Sequence, residues 1–134
     1  MIVLDASAVF EMIIGKDNSA LVFQSIADSS ELICAPEIID LEVIQALRRH
    51  INLKWLTPVE SENIFGIFTA LPLMRMSHQP LTTRIWELKS NMTAYDASYV
   101  ALAEQLDAPL WTFDGKYTRT PGHNAKIRLF QPAP

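Results

Sequence analysis

Brief apolar runs alternate along this chain with longer stretches whose apolar residues recur at helical spacing. That alternation, more than any single motif, restricts what the chain can fold into. The runs are Ile2-Val3-Leu4, Leu32-Ile33-Cys34, residues 73–76, 109–113 and 127–130. Each is short enough for a buried strand and too short for a helix. Between them lie helical patterns with start and stop signals. Ser7 can cap a helix over 8–14 that Gly15 stops. Asp17 or Asn18 opens a second, striped by Leu21, Val22 and Ile26. Pro36 suits the start of a helix over 37–50, carrying Ile38, Leu41, Ile44 and Leu47. Thr57-Pro58 opens another that reaches about residue 71, and 81–89 is helical in pattern. Thr93-Ala94-Tyr95-Asp96 reads as a capping box before Tyr99, Val100, Leu102, Ala103 and Leu106.

Strands that alternate with helices imply a parallel sheet covered by helices on both faces. With 134 residues, 49% of them hydrophobic, the chain can bury a real core as one domain over 1–134. No repeat, linker or low-complexity tract divides it. In such sheets the working site lies outside the carboxyl ends of the strands. Polar residues just past strand ends are therefore the ones to examine.

Asp5 ends the first strand and Asp114 the fourth. If those strands are neighbours, both carboxylates reach one edge of the sheet. Glu42 lies within a helix, with Ile39, Val43 and Ala46 around it. A glutamate on so apolar a face needs a cation, a hydrogen-bond partner or a metal. Asp96 has a full explanation as the acid of a capping box, and the same carboxylate can also face a site. Clustered carboxylates repel one another unless a cation holds them. Mg²⁺ and Mn²⁺ prefer such hard oxygen ligands. Spacing alone leaves a set of solvated surface acids as the alternative.

Other chemistries find little support. No serine-histidine pair or cysteine nucleophile stands out. His50, His78 and His123 lack metal-ligand spacing and read as surface residues. Cys34, the one cysteine, reads as an inert core residue. The net charge of -4 argues against binding nucleic acid through a broad basic surface. After Asp114, though, no acid follows, while Lys116, Arg119, His123, Lys126 and Arg128 do. Such a run can steer a polyanion, but a solvated edge is the simpler reading. The opening Met1-Ile2-Val3-Leu4-Asp5 has no basic leader, and no apolar run is long enough to span a membrane. The expected location is cytoplasmic.

Taken together, these residues resemble the PIN-domain nucleases, and among them the VapC-type toxins of bacterial toxin-antitoxin systems. The resemblance covers nearly the whole chain. It runs through Val3-Leu4-Asp5-Ala6-Ser7-Ala8, Ala35-Pro36, Leu41-Glu42-Val43 and Ala46-Leu47-Arg48-Arg49. It continues through Thr93-Ala94-Tyr95-Asp96-Ala97, Tyr99 to Glu104, Ala108-Pro109-Leu110 and Thr112-Phe113-Asp114. It implies a three-layer α/β/α sandwich with a mostly parallel central sheet. It also implies an endoribonuclease that uses Mg²⁺ or Mn²⁺ and an activated water. Asp5, Glu42, Asp96 and Asp114 fall on the family's catalytic and metal-binding positions, and Ser7 and Thr112 on its small supporting polar positions. A homodimer and a cognate antitoxin that wraps the toxin are implied as well.

This chain departs from the pattern in one place. Many relatives carry another acid or amide shortly after the last Asp, where Gly115 and Lys116 stand here. That weakens the case for a second metal. Lys116 reads as an exposed side chain, with a phosphate contact as the alternative. Arg48 and Arg49 are either RNA contacts or cations placed at a helix C-terminus. Trp55, Trp86 and Trp111 read as core or interface rather than base-stacking residues. Ile64, Phe65, Ile67 and Phe68 exceed what one helix face needs, which fits a dimer or antitoxin groove.

Two other functions are weighed. One is a phosphotransfer or phosphatase-like enzyme using Asp5. It lacks the second Asp two residues on, where Ser7 stands, and a phosphate-cradling glycine loop. The other is a non-catalytic RNA or protein interaction module, which has no reason to keep buried like charges.

Overall fold

The computed structural model describes residues 1–132. Five strands form one sheet: β1 (Ile2–Leu4), β2 (Ile33–Pro36), β3 (Leu73–Met76), β4 (Leu110–Thr112) and β5 (Ile127–Leu129). Their order is β3-β2-β1-β4-β5, and every neighbouring pair is parallel. The sheet is thus wholly parallel, and β1 is its centre. The chain runs from β1 out to β3 on one side, then returns to place β4 and β5 on the other. The reversal falls between β1 and β4, where an open parallel sheet leaves a crevice at its carboxyl edge.

The helices are α1 (Ala6–Ile14), α2 (Asp17–Ser29), α3 (Ile39–Asn52), α4 (Pro58–Ala70), α5 (Thr82–Glu87), α6 (Ala94–Leu106) and a single turn, α7 (Lys116–Arg119). A 3-10 turn at Gln79–Leu81 leads into α5. Helices α1 to α4 pack together as one layer. Helix α6 packs with α5 and against β1, β2 and β4 as the other. Seven successive residues of α6, Ala97 to Ala103, are buried. The core joins Val3, Leu4, Val9, Ile39, Val43, Val100, Leu102 and Leu110. Among the described residues no helix is long and apolar enough to cross a membrane.

Several local expectations are corrected. Asp5, not Ser7, caps α1: its backbone is extended and its side chain accepts the Ala8 N–H. Ser7 lies inside the first turn. Pro36 ends β2 instead of starting a helix, and α3 begins at Ile39. A proline is tolerated there because it is the strand's last residue. Gly15, at φ 72°, ends α1 as expected. Trp111 is buried, while Trp55 and Trp86 are largely exposed. Helix α7 leaves no signature in the sequence, since one turn carries no periodicity.

Candidate active site

The register Leu4↔Trp111 sets the carboxyl ends of β1 and β4 side by side. A small polar web closes this junction. Asp5 Oδ1 accepts from Ser7 Oγ at 2.7 Å and from Ala8 N–H at 3.0 Å. Its Oδ2 accepts from Thr112 Oγ1 at 2.6 Å. In turn, Ser7 Oγ accepts the Phe113 N–H and Thr112 Oγ1 accepts the Asp114 N–H, each at 2.9 Å. Asp5 and Thr112 are buried. Ser7 and Ala8 of α1 and Thr112 of β4 therefore fix the first carboxylate, and Ser7 and Thr112 also fix the backbone leading to the last. Burial raises the Asp5 pKa above its ordinary value. The Thr112, Ser7 and Ala8 hydrogen bonds and the Lys116 charge only partly offset it.

Asp114 folds back on the next turn: its Oδ1 accepts the Lys116 N–H at 2.9 Å. Its Oδ2 lies 3.2 Å from Lys116 Nζ. Partial burial pushes its pKa up, but these Lys116 contacts prevail and hold it below the ordinary value. Asp96 sits in the first turn of α6. Its N–H reaches Thr93 Oγ1 at 3.2 Å, so Thr93 caps the helix. The box stays half made, because the Asp96 carboxylate turns elsewhere. It lies 3.0 Å from Lys116 Nζ and accepts from the Tyr117 hydroxyl at 3.4 Å. At the start of α4, where the acid is a glutamate, Thr57 and Glu60 complete both bonds. The extra methylene of Glu60 suits that reach.

Glu42 projects from α3, half buried, and accepts the Tyr99 hydroxyl at 2.5 Å. The demand of its apolar helix face for a partner is met by a phenol. Tyr99 and Tyr117 are both buried. Burial raises both phenol pKa values first, and the surrounding acids raise them further. Tyr117 feels Asp5, Asp96, Glu42 and Asp114 alike. Of the four, Asp96 is the one that bonds to this phenol, while the charges of the other three reach it from farther off.

The two tyrosines were not legible as site residues. Tyr99 was assigned to the apolar stripe of α6. Its signal was its place one turn after Asp96, together with the need of a buried hydroxyl for a partner. Tyr117 lies on the unforeseen α7. Lys116, expected to be exposed, is instead seated between Asp96 and Asp114. Burial disfavours its charge, but the two carboxylates prevail and raise its pKa. Three other members of the basic run are engaged as well, while Arg119 is exposed. Lys126 pairs with Asp107, Arg128 covers the Trp111 and Phe130 rings, and His123 bonds to the Tyr117 carbonyl.

The donor set is all oxygen and mostly carboxylate, which suits a hard divalent cation. An ammonium held by two of the acids shows that the centre attracts positive charge. Among the described residues, no three acids, histidines or cysteines close on one point tightly enough to form a ready-made metal cage. Mg²⁺ does not require one, because it keeps several waters and takes few protein ligands directly.

The two arginines of α3 part company. Arg49 shares an open groove with Glu42, Gln45 and Tyr95. Arg48 lines another, of about 290 Å³, with Ile44, Leu47, Ile51 and Phe65 between α3 and α4. Phe65 and Ile67 are exposed on α4, whereas Ile64 and Phe68 are buried.

The pattern of the PIN domain matches residues 2–122. The chain is 39% identical over 129 residues to Ribonuclease VapC12 of Mycobacterium tuberculosis, covering 96% of this chain and 98% of the relative. It is 38% identical over 131 residues to Ribonuclease VapC1 of the same organism, covering 95% and 96%. The fold matches VapBC2 from Rickettsia felis, solved bound to a DNA fragment from the promoter, with a TM-score of 0.70 at 16% identity. That match covers 98% of this chain and 100% of the other. It also matches VapC20 of Mycobacterium tuberculosis, described as a Sarcin-Ricin loop cleaving toxin, with a TM-score of 0.64 at 13% identity. Here 90% of this chain and 100% of the other are covered.

Proposed function

This chain belongs to the PIN-domain family, alongside the VapC ribonucleases, and from that premise we propose that it is a metal-dependent endoribonuclease, the toxin of a toxin-antitoxin pair. The observation that carries the reading is the meeting of Asp96 and Asp114 on one ammonium at the sheet's carboxyl edge, where the parallel β1 and β4 also bring Asp5 beside the Asp114 backbone through Thr112. Asp5, Glu42, Asp96 and Asp114 would hold Mg²⁺ or Mn²⁺. When bound, such an ion polarises a phosphoryl oxygen and makes water a competent nucleophile near neutral pH.

The chain's own groups supply position and charge. Ser7, Thr112 and the Ala8 N–H fix the Asp5 carboxylate. Tyr99 fixes Glu42 through its hydroxyl. Thr93 holds the Asp96 backbone and Thr112 the Asp114 backbone, which leaves the Asp96 carboxylate and Asp114 Oδ2 to face the centre. Arg49 shares the groove of Glu42 and is the arginine placed to meet an RNA phosphate. Arg48 faces the groove between α3 and α4, where its apolar lining with Phe65 suits an antitoxin segment or a second copy in a homodimer. Phosphotransfer through Asp5 is disfavoured, since Ser7 stands where such an enzyme needs a second Asp and no phosphate-cradling glycine loop is present.

The test is cleavage of total RNA by the purified chain with EDTA, Mg²⁺ or Mn²⁺. Cleavage is expected only with the metals, and Asp96→Asn is expected to abolish it while circular dichroism stays unchanged. Cleavage persisting in EDTA, or undiminished in Asp96→Asn, would sink the reading.

A further inference from the structure

The departure at Gly115-Lys116 acquires a physical meaning from the place of the lysine. We propose that the Lys116 ammonium is a tethered counter-cation that occupies one cation position of the acidic centre, so that removing its charge lets the centre take up one more divalent ion. This rests on the reading of the four carboxylates as a metal centre.

The chain places the ammonium by a sequence of local contacts. Thr112 Oγ1 holds the Asp114 N–H at 2.9 Å, and Asp114 Oδ1 then accepts the Lys116 N–H at 2.9 Å. That tight turn starts α7 at Lys116 and sends its side chain back over the preceding acid. The Nζ atom comes to 3.0 Å from Asp96 Oδ1 and 3.2 Å from Asp114 Oδ2. The Tyr117 ring lies beneath it, 5.3 Å from the nitrogen to the ring centroid. The ammonium therefore joins α6 to the loop after β4. A bridging cation would have to do the same.

An ordinary surface lysine pairs with one carboxylate and stays solvated, as Lys126 does with the exposed Asp107. Lys116 instead bridges two acids from different elements, and Asp5 also feels its charge. Like charges gathered in a partly buried place need a counter-charge. A covalently attached one is always present and costs no binding entropy. A divalent ion must compete with it for the Asp96–Asp114 edge. The remaining acids, Asp5 and Glu42, keep the centre attractive to a metal even with the lysine seated.

The experiment counts Mn²⁺ bound by the folded, RNA-free protein, using the electron paramagnetic resonance signal of free Mn²⁺ in a titration. Wild type is compared with Lys116→Met, Lys116→Gln and the charge-keeping Lys116→Arg. Near-ultraviolet circular dichroism checks folding, and the two neutral variants guard against one failing to fold. The expected result is one more Mn²⁺ in the neutral variants than in wild type, with Lys116→Arg matching wild type. Equal counts in wild type and the neutral variants overturn the proposal while leaving the metal reading intact. Absence of Mn²⁺ binding from every folded form overturns both.

Discussion

Helix α6 carries an acid near each end, and the two keep different company. Glu104, in the last turns, is closed off. Arg84 donates to both of its oxygens, at 2.9 and 3.1 Å, and the Asn124 N–H adds a third bond at 3.0 Å. The same guanidinium reaches the Gly122 carbonyl and Glu87. Asp96, in the first turn, shares one ammonium with Asp114 and has a long contact from Tyr117. The first carboxylate has both oxygens filled by a guanidinium that it shares only with the exposed Glu87. The second belongs to a group of acids that outnumber their cations. A bidentate pair whose hydrogen-bonding capacity is filled ties the fold together. An acidic group short of positive charge is poised to take a cation, at a cost in stability.

The difference is broken most directly by activity. Asp5→Asn should lower metal-dependent RNA cleavage by roughly 100-fold or more, because it removes a carboxylate from the proposed metal centre. Glu104→Gln should cleave within about twofold of wild type, in line with a surface-type structural change. Initial rates on one RNA at fixed Mn²⁺ decide it, and equal losses in the two variants would erase the distinction.

Stability should reverse the ranking. Glu104→Gln weakens a charge-assisted bidentate pair that is partly solvated, and should lose about 1 kcal/mol. In EDTA, Asp5→Asn should lose less than that, because removing a buried charge among like charges offsets the bond lost from the Thr112 hydroxyl, while an oxygen remains for Ser7 and Ala8. Urea midpoints at neutral pH test this order.

The smallest effect sharpens the account of Glu104. Burial works against its charge, but Arg84 and the Asn124 N–H hold its folded pKa below the ordinary 4.5. A depressed carboxylate adds stability that is present above the unfolded value and lost as pH falls through the folded one. The gap in urea midpoint between wild type and Glu104→Gln should therefore be constant above about pH 5 and close below pH 4.5. A gap that does not narrow at all as the pH falls below 4.5 would assign the loss to packing.

Much of the fold was legible because strand and helix signals are local. The alternation forecast a parallel sheet, and the carboxyl-edge rule drew attention to Asp5 and Asp114. Glu42 was legible as a residue in need of a partner, though not which one. Asp96 was misjudged in part: the cap is real for its backbone, while its carboxylate is free for other contacts. Ser7 was read as a cap because its type suits one. The extended backbone of Asp5 settled the competition in favour of the residue two places earlier. Lys116 and Tyr117 were misread or missed, since a single turn of helix leaves no pattern and a lysine after a strand resembles any solvated lysine.

The sequence by itself determined where apolar and polar residues recur, and hence the order of strands and helices and the acids standing at their ends. These depend on neighbours a few residues apart, which a linear chain displays directly. Only the tertiary structure decided that β1 and β4 lie side by side and that Tyr99 meets Glu42. It alone placed the Lys116 ammonium between Asp96 and Asp114. Those pairings join residues up to 107 positions apart, as in Thr112 to Asp5. Their strength depends on burial, which no stretch of sequence carries until the chain has closed on itself.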